Sequence, residues 1–411
     1  MARDPDTTPP DRPVPADADL LARIAEATSL REGREGVAAV LRAVAGHGPM
    51  PLRDVARAVR MPLPVVSAVR RELERAGLLA RGQGLDLTAE GRRFAAEILG
   101  LEAAAPARQA RTPRSAGPPA TDAADGLDPR IAPLLEAMRD HLAAEPAVDV
   151  TLDQAPCTPE TALRRALAMH EAGAVAGRRI LILGDDDSVS IAVGLLAAAE
   201  GVRPRRLAVL EVDPDRVAHL EATRRRHGLD IELVRHDLRD PLPEGFAGAF
   251  DVVETDPPYT LAGMTLFVSR GIRGLEPGPG LPVFLSYADL APDDQLELQD
   301  RLMAMGLAAL RVAPSFNRYG GASILGSTGQ FMTLLTTRST RPAVADVPFA
   351  DPIHTGEVRP RRRRYRCRNC GAVTAVGAGE DMATIEALKQ AGCPSCGGRA
   401  FARVSGGRPP A

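Results

Sequence analysis

Three consecutive aspartates in the middle of the chain are the first residues whose type and spacing could do chemistry. Asp185, Asp186 and Asp187 follow Gly184, which ends the continuous apolar run 179–183. A phosphate-binding loop at this point would offer glycines and backbone N–H groups. Three carboxylates would instead repel an anion, so the loop predicts a ligand that carries positive charge.

A further acid begins the short sequence Asp256-Pro257-Pro258-Tyr259. Its two prolines stiffen the turn, so that the Asp256 carboxylate can be aimed at an amine while the Tyr259 ring packs against the substrate. A nitrogen that attacks a carbon on sulfonium must lose its proton, and a carboxylate can accept that proton and stabilise the developing cation. Alternatively, this sequence could form a purely structural turn. The expected position of the motif beside the aspartate loop argues against that interpretation.

Other acids follow the next two apolar runs. Glu211 and Asp213 end one run, with Glu211 27 residues after Gly184, and Asp237 ends the next. In nucleoside-binding sheets an acid at the first of these points hydrogen-bonds the ribose hydroxyls, and Asp237 could meet an adenine amino group. Asp213 could alternatively do no more than cap the helix that begins at Pro214.

Alternating strands and helices must position these acids. Strands are predicted over residues 179–183, 206–213, 231–237, 250–256, 281–288, 307–316 and 330–338. Ser188 is predicted to cap the helix that starts at Val189, and Thr158 with Pro159 to start another. The order predicts an α/β fold with a right-handed, mostly parallel sheet, whose ligands sit at the carboxyl ends of the strands.

The N-terminal part fits a winged helix over residues 34–101, with three helices, a short wing and a last helix capped by Thr88. Exposed arginines on its third helix, Arg70, Arg71 and Arg75, could meet DNA phosphates. The alternative, which we favour for a unit fused to an enzyme, is a winged helix that packs or dimerises without touching DNA.

Four of the five cysteines form two Cys-x-x-Cys pairs separated by 22 residues: Cys367, Cys370, Cys393 and Cys396. Four thiolates at such spacings fit tetrahedral, structural zinc. Seven arginines in residues 359–368 could bind nucleic acid or form a solvated tether, and we favour the tether. The fifth cysteine, Cys157, is predicted to be packed rather than catalytic.

Length and charge limit the classes of function. The 411 residues are too many for one small core, and a net charge of -2 argues against a whole-chain polyanion binder. No run of 18 apolar residues and no signal-peptide core occur, which predicts a cytoplasmic protein without a membrane partner. The predicted parts are a disordered or partly helical start (1–33), the winged helix (34–101), a linker (102–128), the catalytic core (129–349) and an arginine-rich tether with a zinc-ribbon-like module (350–411).

Several motifs together resemble one enzyme family. The combination of LDQ with TPET, GDDD, TDPPYTLAG, LFVSRGI and PSFNRYGG is similar to the branched-chain polyamine synthases. The resemblance covers roughly residues 129–340 and the winged helix. It implies a methyltransferase-like Rossmann sheet and an aminopropyltransferase that uses decarboxylated S-adenosylmethionine. The acceptor would be the secondary amine of spermidine or a related polyamine, and a homodimer is a further expectation.

The resemblance also implies roles for individual residues. The catalytic acids would be Asp187, Asp256 and Asp186, with Asp187 closest to the attacking nitrogen. Contacts to the aminopropyl donor would come from Gly184, Asp185, Glu211, Asp213, Asp237, Asp256 and Pro257. Contacts to the polyamine would come from Asp153, Asp186, Asp187 and Tyr259. The chain departs from the family at Ser188, where an apolar residue is usual.

The residues themselves agree with this donor. Ordinary S-adenosylmethionine carries a carboxylate near the aspartate loop, whereas the decarboxylated form presents only an ammonium. The main rival is an amino-methyltransferase acting on nucleic acid or protein, since it also uses an Asp-Pro-Pro-Tyr turn, but the aspartate loop would repel a polyanion. A regulator that senses polyamine through a degenerate core is the third hypothesis, and the intact Asp256 motif weighs against it.

Overall fold

A computed structural model describes residues 16–82, 84–101, 127–320, 328–358, 363–377, 380–382 and 385–404. The first fifteen residues of the predicted disordered start, most of the predicted linker and part of the arginine run lie outside these ranges. Among the described helices, none is both long and apolar enough to cross a membrane.

Five helices form the N-terminal unit: α1 (Ala16–Ala27), α2 (Gly33–His47), α3 (Leu52–Val59), α4 (Leu63–Arg75) and α5 (Ala89–Glu97). Two isolated β-bridges, at Met50 and Leu79, join the segments where the wing is predicted. Thr88 accepts a hydrogen bond from the N–H of Gly91 at the start of α5, which confirms the predicted cap. The winged-helix assignment itself stays a prediction.

A seven-stranded sheet forms the core of the described chain. Its strands are β1 (Arg179–Leu183), β2 (Arg206–Glu211), β3 (Glu232–Arg235), β4 (Val252–Thr255), β5 (Pro282–Ala288), β6 (Leu307–Arg318) and β7 (Thr328–Thr336). They lie in the order β3-β2-β1-β4-β5-β7-β6. Strands β1 to β5 are parallel, and β7 is antiparallel to both of its neighbours. The predicted α/β fold with a mostly parallel sheet is confirmed.

Helices cover both faces of this sheet: α6 (Leu135–Ala143), α7 (Pro159–Glu171), α8 (Val189–Glu200), α9 (Pro214–His227), α10 (Leu261–Gly274) and α11 (Pro292–Ala304). Ile180 and Ile182 of β1 pack in one apolar cluster with α7 and α8. Leu181 and Leu183 pack in a second cluster with α10 and α11. Alternate residues of β1 therefore face two apolar layers, as a central parallel strand requires.

The N-terminal unit packs against the amino ends of the parallel strands. Arg178, directly before β1, donates to both carboxylate oxygens of Glu35 at 2.5 and 3.0 Å, and its side chain is 4% exposed. Arg205, directly before β2, donates to the carbonyl of Glu97 at 2.7 Å. Because ligands of such sheets bind at the carboxyl ends, this unit lies at the edge opposite to the predicted site.

Two of the three arginines considered for DNA contact already have partners within the unit. Arg70 donates to Glu74 at 2.6 Å and to the carbonyl of Gly82 at 2.9 Å, and Arg75 pairs with Glu72. The third, Arg71, is exposed. DNA binding by this helix stays a prediction.

A small second sheet near the C-terminus carries the paired cysteines. It consists of β8 (Arg363–Cys367), β9 (Val373–Val376) and β10 (Phe401–Arg403), in the antiparallel order β10-β8-β9. The core is connected to it by the short helix α12 (Thr355–Val358), and α13 (Ile385–Ala391) packs on it. Tyr365, Val376 and Leu388 are the buried apolar residues of its cluster. A core of this size needs another source of stability.

Candidate active site

A pocket with about 750 Å³ of empty space, part of it open to solvent, lies at the carboxyl ends of β1 to β4. Eight residues that the sequence analysis singled out line it: Asp153, Gly184, Asp186, Glu211, Asp237, Asp256, Pro257 and Tyr259. Five of these are acids, and Arg239 is the arginine among the described lining residues. The pocket therefore favours a cationic ligand.

Glu211 is fixed at the end of β2 in a position that suits a nucleoside. Its two carboxylate oxygens accept hydrogen bonds from the N–H groups of Asp185 and Asp213, each at 2.8 Å. Each oxygen keeps a second lone pair, which can accept a ribose hydroxyl. Asp237 and Phe267 line the pocket beyond Glu211, where an adenine ring would lie.

Asp213 is not part of the pocket lining. Its carboxylate accepts a hydrogen bond from the N–H of Asp215 at 2.9 Å, at the start of α9, and another from the Gln154 side chain at 2.7 Å. The structure thus places Asp213 as a helix cap, which was the alternative to a ribose contact.

Asp185 also turns away from the pocket, because it caps α8. One carboxylate oxygen accepts from the N–H of Val189 at 2.7 Å, and both accept from the N–H of Ser190 at 3.3 Å. Burial raises the pKa of Asp185 to about 8. The predicted cap by Ser188 is wrong, since Ser188 adopts a left-handed backbone with φ of 56° and makes no side-chain cap bond.

Asp187 lies behind the pocket wall and is 2% exposed. One of its oxygens accepts from the N–H of Cys157 and the other from Arg165, both at 2.5 Å. We predicted that Asp187 is the acid closest to the attacking nitrogen. The structure does not agree with that prediction, because both carboxylate oxygens are engaged and Asp187 is outside the pocket lining. The acids that reach the pocket at this end are Asp186 and Asp256.

Arg165 of α7 is the residue at this site that the sequence analysis missed. It is fully buried and donates to Asp187 at 2.5 Å, to Asp256 at 2.9 Å and to the side-chain oxygen of Asn317 at 2.9 Å. Burial by itself would lower the pKa of the guanidinium, but Asp187 and Asp256 raise it well above its ordinary value. Arg165 is therefore a fixed positive charge that is hydrogen-bonded to two acids, with the buried Glu254 carboxylate 3.8 Å away as a third.

A signal for Arg165 was present in the sequence. Ala162 and Met169 of α7 are buried, and Arg165 lies three residues after the first and four before the second, on the same helical face. A charged residue on the apolar face of a helix needs a buried counter-charge, and the acids of the predicted cleft could supply one.

Asp256 presents one oxygen to the pocket. Its Oδ2 accepts hydrogen bonds from Arg165 Nη2 and from Tyr319 Oη, both at 2.9 Å. Among the described residues, no N–H or O–H donor is bonded to Oδ1, and the carboxylate of Asp187 lies within hydrogen-bonding reach of the Asp256 carboxyl group. Burial raises the pKa of Asp256 to about 7, although Arg165 opposes this rise. A free acceptor oxygen on a carboxyl group that titrates near neutral pH suits a general base.

Asp186 is the second acid of the pocket at this end. One of its oxygens accepts from the N–H of Ala155 at 3.0 Å. Burial, followed by the charges of Asp187 and Asp256, raises the pKa of Asp186 well above its ordinary value. The ionised form of Asp186 is thus disfavoured beside these two carboxylates until a cation enters.

Tyrosines surround Asp256. The chain has four tyrosines, and three of them meet here. The ring of Tyr259 packs edge-on against Tyr287 with centroids 5.4 Å apart, and lies 6.3 Å from the ring of Tyr319. This tyrosine wall meets the pocket through Tyr259, which is the ring of the three that lines it. Aromatic faces attract cations, so Tyr259 suits an ammonium group.

A segment that the sequence analysis assigned to the tether closes one side of the pocket. Ile353 and His354 line the pocket, and the carbonyl of Ile353 accepts from Thr260 Oγ1 at 2.5 Å. The N–H and hydroxyl of Thr355 donate to the carboxylate of Asp153. Asp153, for which we predicted a polyamine contact, therefore holds this segment in place from inside the pocket.

The four paired cysteines fit a metal ion. Their sulfur atoms all lie within 4.8 Å of one another, with Cys367 and Cys396 at 3.7 Å and Cys370 and Cys393 at 3.6 Å. Tetrahedral zinc with Zn–S bonds of about 2.3 Å separates its ligand atoms by about 3.8 Å. The cluster is thus close to the spacing of a four-cysteine zinc site that has no open position.

Comparisons with known proteins point to one family. Residues 133–346 match the family described as the branched-chain polyamine synthase A C-terminal domain. An uncharacterized protein of Methanocaldococcus jannaschii is 34% identical over 386 residues, which cover 94% of this chain and 92% of that protein. The N(4)-bis(aminopropyl)spermidine synthase of Thermus thermophilus is 33% identical over 309 residues, which cover 73% of this chain and 82% of that enzyme.

A solved structure agrees with these relatives. The crystal structure of the branched-chain polyamine synthase from Thermus thermophilus contains N4-aminopropylspermidine and 5'-methylthioadenosine. Its sequence is 25% identical to this chain, and the two structures superimpose with a TM-score of 0.51 over 83% of this chain and 98% of that chain.

Proposed function

The chain belongs to the branched-chain polyamine synthase family, and we propose that it transfers aminopropyl groups from decarboxylated S-adenosylmethionine to the secondary amine of spermidine or a related polyamine. The observation that carries this proposal is the free Oδ1 of Asp256 in an acid-lined pocket whose far end suits a nucleoside. Branched-chain polyamines are the expected products.

The pocket orders the donor by charge. Glu211 accepts the ribose hydroxyls and Asp237 meets the adenine amino group, which places the sulfonium toward Asp186 and Asp256. The carboxylates at this end stabilise the sulfonium and the ammonium of the aminopropyl chain. The negative electrostatic potential of these carboxylates also attracts a polycation to the pocket.

The transfer step forms one bond and breaks one bond. The lone pair of the polyamine nitrogen attacks the methylene carbon attached to sulfur. The carbon–sulfur bond breaks with its electron pair moving to sulfur, which leaves a neutral thioether. The nitrogen becomes an ammonium, and its proton passes to Oδ1 of Asp256. The tyrosine wall and Asp186 stabilise this cation as it develops.

The proposal is tested by incubating the purified protein with decarboxylated S-adenosylmethionine and a panel of polyamines, with products read by mass spectrometry. We expect one or more aminopropyl additions to spermidine and the release of methylthioadenosine. Methyl transfer from ordinary S-adenosylmethionine, in place of aminopropyl transfer, would support the amino-methyltransferase instead.

Glu211→Gln should raise the KM for decarboxylated S-adenosylmethionine about tenfold or more, because a charged hydrogen-bond acceptor for the ribose is lost. Turnover with saturating donor should change much less. The matched control is Glu232→Gln, whose carboxylate pairs with Arg206 on the surface of β3 and should leave the KM unchanged. An unaltered KM in Glu211→Gln would show that Glu211 does not bind the ribose hydroxyls.

We also propose that the cysteine cluster holds one structural zinc ion. Cys393→Ser should release the metal, and the second sheet should become sensitive to protease while the core persists, because structural zinc supplies folding free energy to a small unit. Cys157→Ser is the matched control, since Cys157 lies outside the cluster, and it should retain zinc. Metal analysis that finds no zinc in protein prepared without chelator would contradict this proposal.

A further inference from the structure

Three arginines form a row on one exposed face of the second sheet: Arg364, Arg366 and Arg368, here called the arginine row. The two residues between them are buried. The N–H of Arg368 donates to the carbonyl of Ala400 at 2.8 Å and so continues the ladder beyond β8. Because alternate residues of a strand share a face, the three side chains point the same way. Arg364 and Arg366 belong to strand β8, and Arg368 follows in the turn after it, so the row is part of a folded unit and not of the predicted tether.

Acidic residues are few in the part of the chain that carries the arginine row. Within the described ranges, none of its members forms an ion pair with a carboxylate. Residues 363–404 contain seven basic and three acidic residues, whereas the whole chain has 51 Lys and Arg against 53 Asp and Glu. Other exposed arginines do pair, such as Arg225 with Glu221 and Arg301 with Glu297. The row is thus a local positive stripe on a chain that is close to neutral.

The surroundings of the arginine row are flat. Arg364 lies opposite Ala375, and Arg366 lies opposite Val373 and Ala402. Each two-residue step along a strand is about 6.6 Å, so the row extends over about 13 Å. Evenly spaced cations on a surface of short side chains can all meet a linear polyanion at the same time.

We propose that the arginine row binds the phosphate backbone of nucleic acid without reading its sequence. Arginine contacts to phosphate position a protein on nucleic acid but do not discriminate bases. Among the described residues, this face offers no aromatic ring on which bases could stack. It also lacks the large apolar residues with which surface-bound proteins enter a lipid headgroup layer.

The test is fluorescence anisotropy of the full-length, zinc-loaded protein with short labelled oligonucleotides of mixed sequence, over a series of salt concentrations. Wild type should bind duplex DNA with an affinity that falls as salt rises. The triple variant Arg364→Gln, Arg366→Gln, Arg368→Gln should bind more weakly, and the slope of log K against log salt should decrease by about 2 to 3, since each lost phosphate contact removes about 0.9. In the single variant Arg366→Gln, the slope of log K against log salt should decrease by about 1.

The matched control removes the same charge elsewhere, through Arg224→Gln, Arg225→Gln and Arg301→Gln, whose arginines pair with Glu221 and Glu297. It should bind as wild type does. Retained zinc and unchanged aminopropyl transfer would show that the triple variant is folded. The proposal is overturned if wild type does not bind at low salt, if the control loses as much as the triple variant, or if wild type binds anionic vesicles and no oligonucleotide.

Discussion

Asp256→Asn should lower the turnover of aminopropyl transfer to spermidine by about 10²-fold or more, which is the usual scale for a positioned acid–base group. The amide keeps the shape of the side chain but removes the charge that receives the proton. Burial raises the pKa of Asp256 to about 7 in the free protein, so wild-type kcat/KM should fall as the pH drops through that value and the base becomes protonated. This fall at low pH, the acidic limb of the pH profile, should be absent from Asp256→Asn.

The same substitution at neighbouring acids locates the base. Asp186→Asn and Asp187→Asn should each reduce turnover but keep the acidic limb, because Asp186 stabilises charge and Asp187 is sealed behind the wall by Cys157 and Arg165. Asp294→Asn, at an exposed position of α11, is the control and should behave as wild type. An acidic limb that persists in Asp256→Asn and vanishes in Asp186→Asn would move the base to Asp186.

Arg165→Lys should move the acidic limb of kcat/KM to higher pH by about one unit or more and lower turnover at neutral pH about tenfold or more. Lysine keeps one charge but cannot bridge two carboxylates as the guanidinium does. With a weaker counter-charge, Asp256 holds its proton to higher pH. Arg165 is therefore a positioning residue, which acts on the substrate through Asp256.

The groups that face Asp256 come from every element around it. The charged or acidic ones are Arg165 on α7, Asp186 and Asp187 after β1, and Glu254 on β4. The neutral titratable ones are Tyr259, Tyr287, Tyr319 and Cys157. Among these, Arg165 is the cation, so its loss has the clearest direction. Arg165→Gln removes it completely and should also destabilise the fold by about 3–5 kcal/mol, as is usual when one partner of a buried ion pair is lost.

Arg178→Gln separates this effect from loss of stability. Arg178 is also a buried arginine in an ion pair, but it meets Glu35 at the opposite edge of the sheet. The Arg178→Gln substitution should lower the melting temperature of the protein and leave the pH profile of aminopropyl transfer unchanged. If Arg165→Lys and Arg178→Gln both left the pH of the acidic limb unchanged, Arg165 would be a structural residue and not a positioning residue.

Local sequence was sufficient to predict the architecture of the core. Apolar runs alternated with helical segments, and the acids that ended each run came together at one edge, because the carboxyl ends of parallel strands share that edge. Glu211, Asp237 and Asp256 line the same pocket for this reason. The caps at Thr88 and Thr158 were also predictable, because a cap depends on its own side chain and the next few N–H groups.

Local sequence could not predict the directions in which the side chains of the three consecutive aspartates point. The left-handed backbone at Ser188 turns the loop, so Asp185 caps α8, Asp186 enters the pocket and Asp187 points back to Arg165. Identical residue types in adjacent positions carry no signal that distinguishes these directions. The resemblance to a family likewise supplied residue roles without orientations.

The sequence by itself determined the α/β sheet, the acidic character of the cleft and the cysteine spacing, since each depends on periodicity, composition or short-range spacing. Only the tertiary structure decided that Arg165 lies between Asp187 and Asp256, and that Ile353 and His354 close the pocket. It also decided that Arg364 and Arg366 of the arginine row lie on strand β8 and that Arg368 lies in the turn after it. These contacts join residues that are far apart in the chain, and a buried charge takes its position from whichever distant counter-charges the packed elements bring within reach.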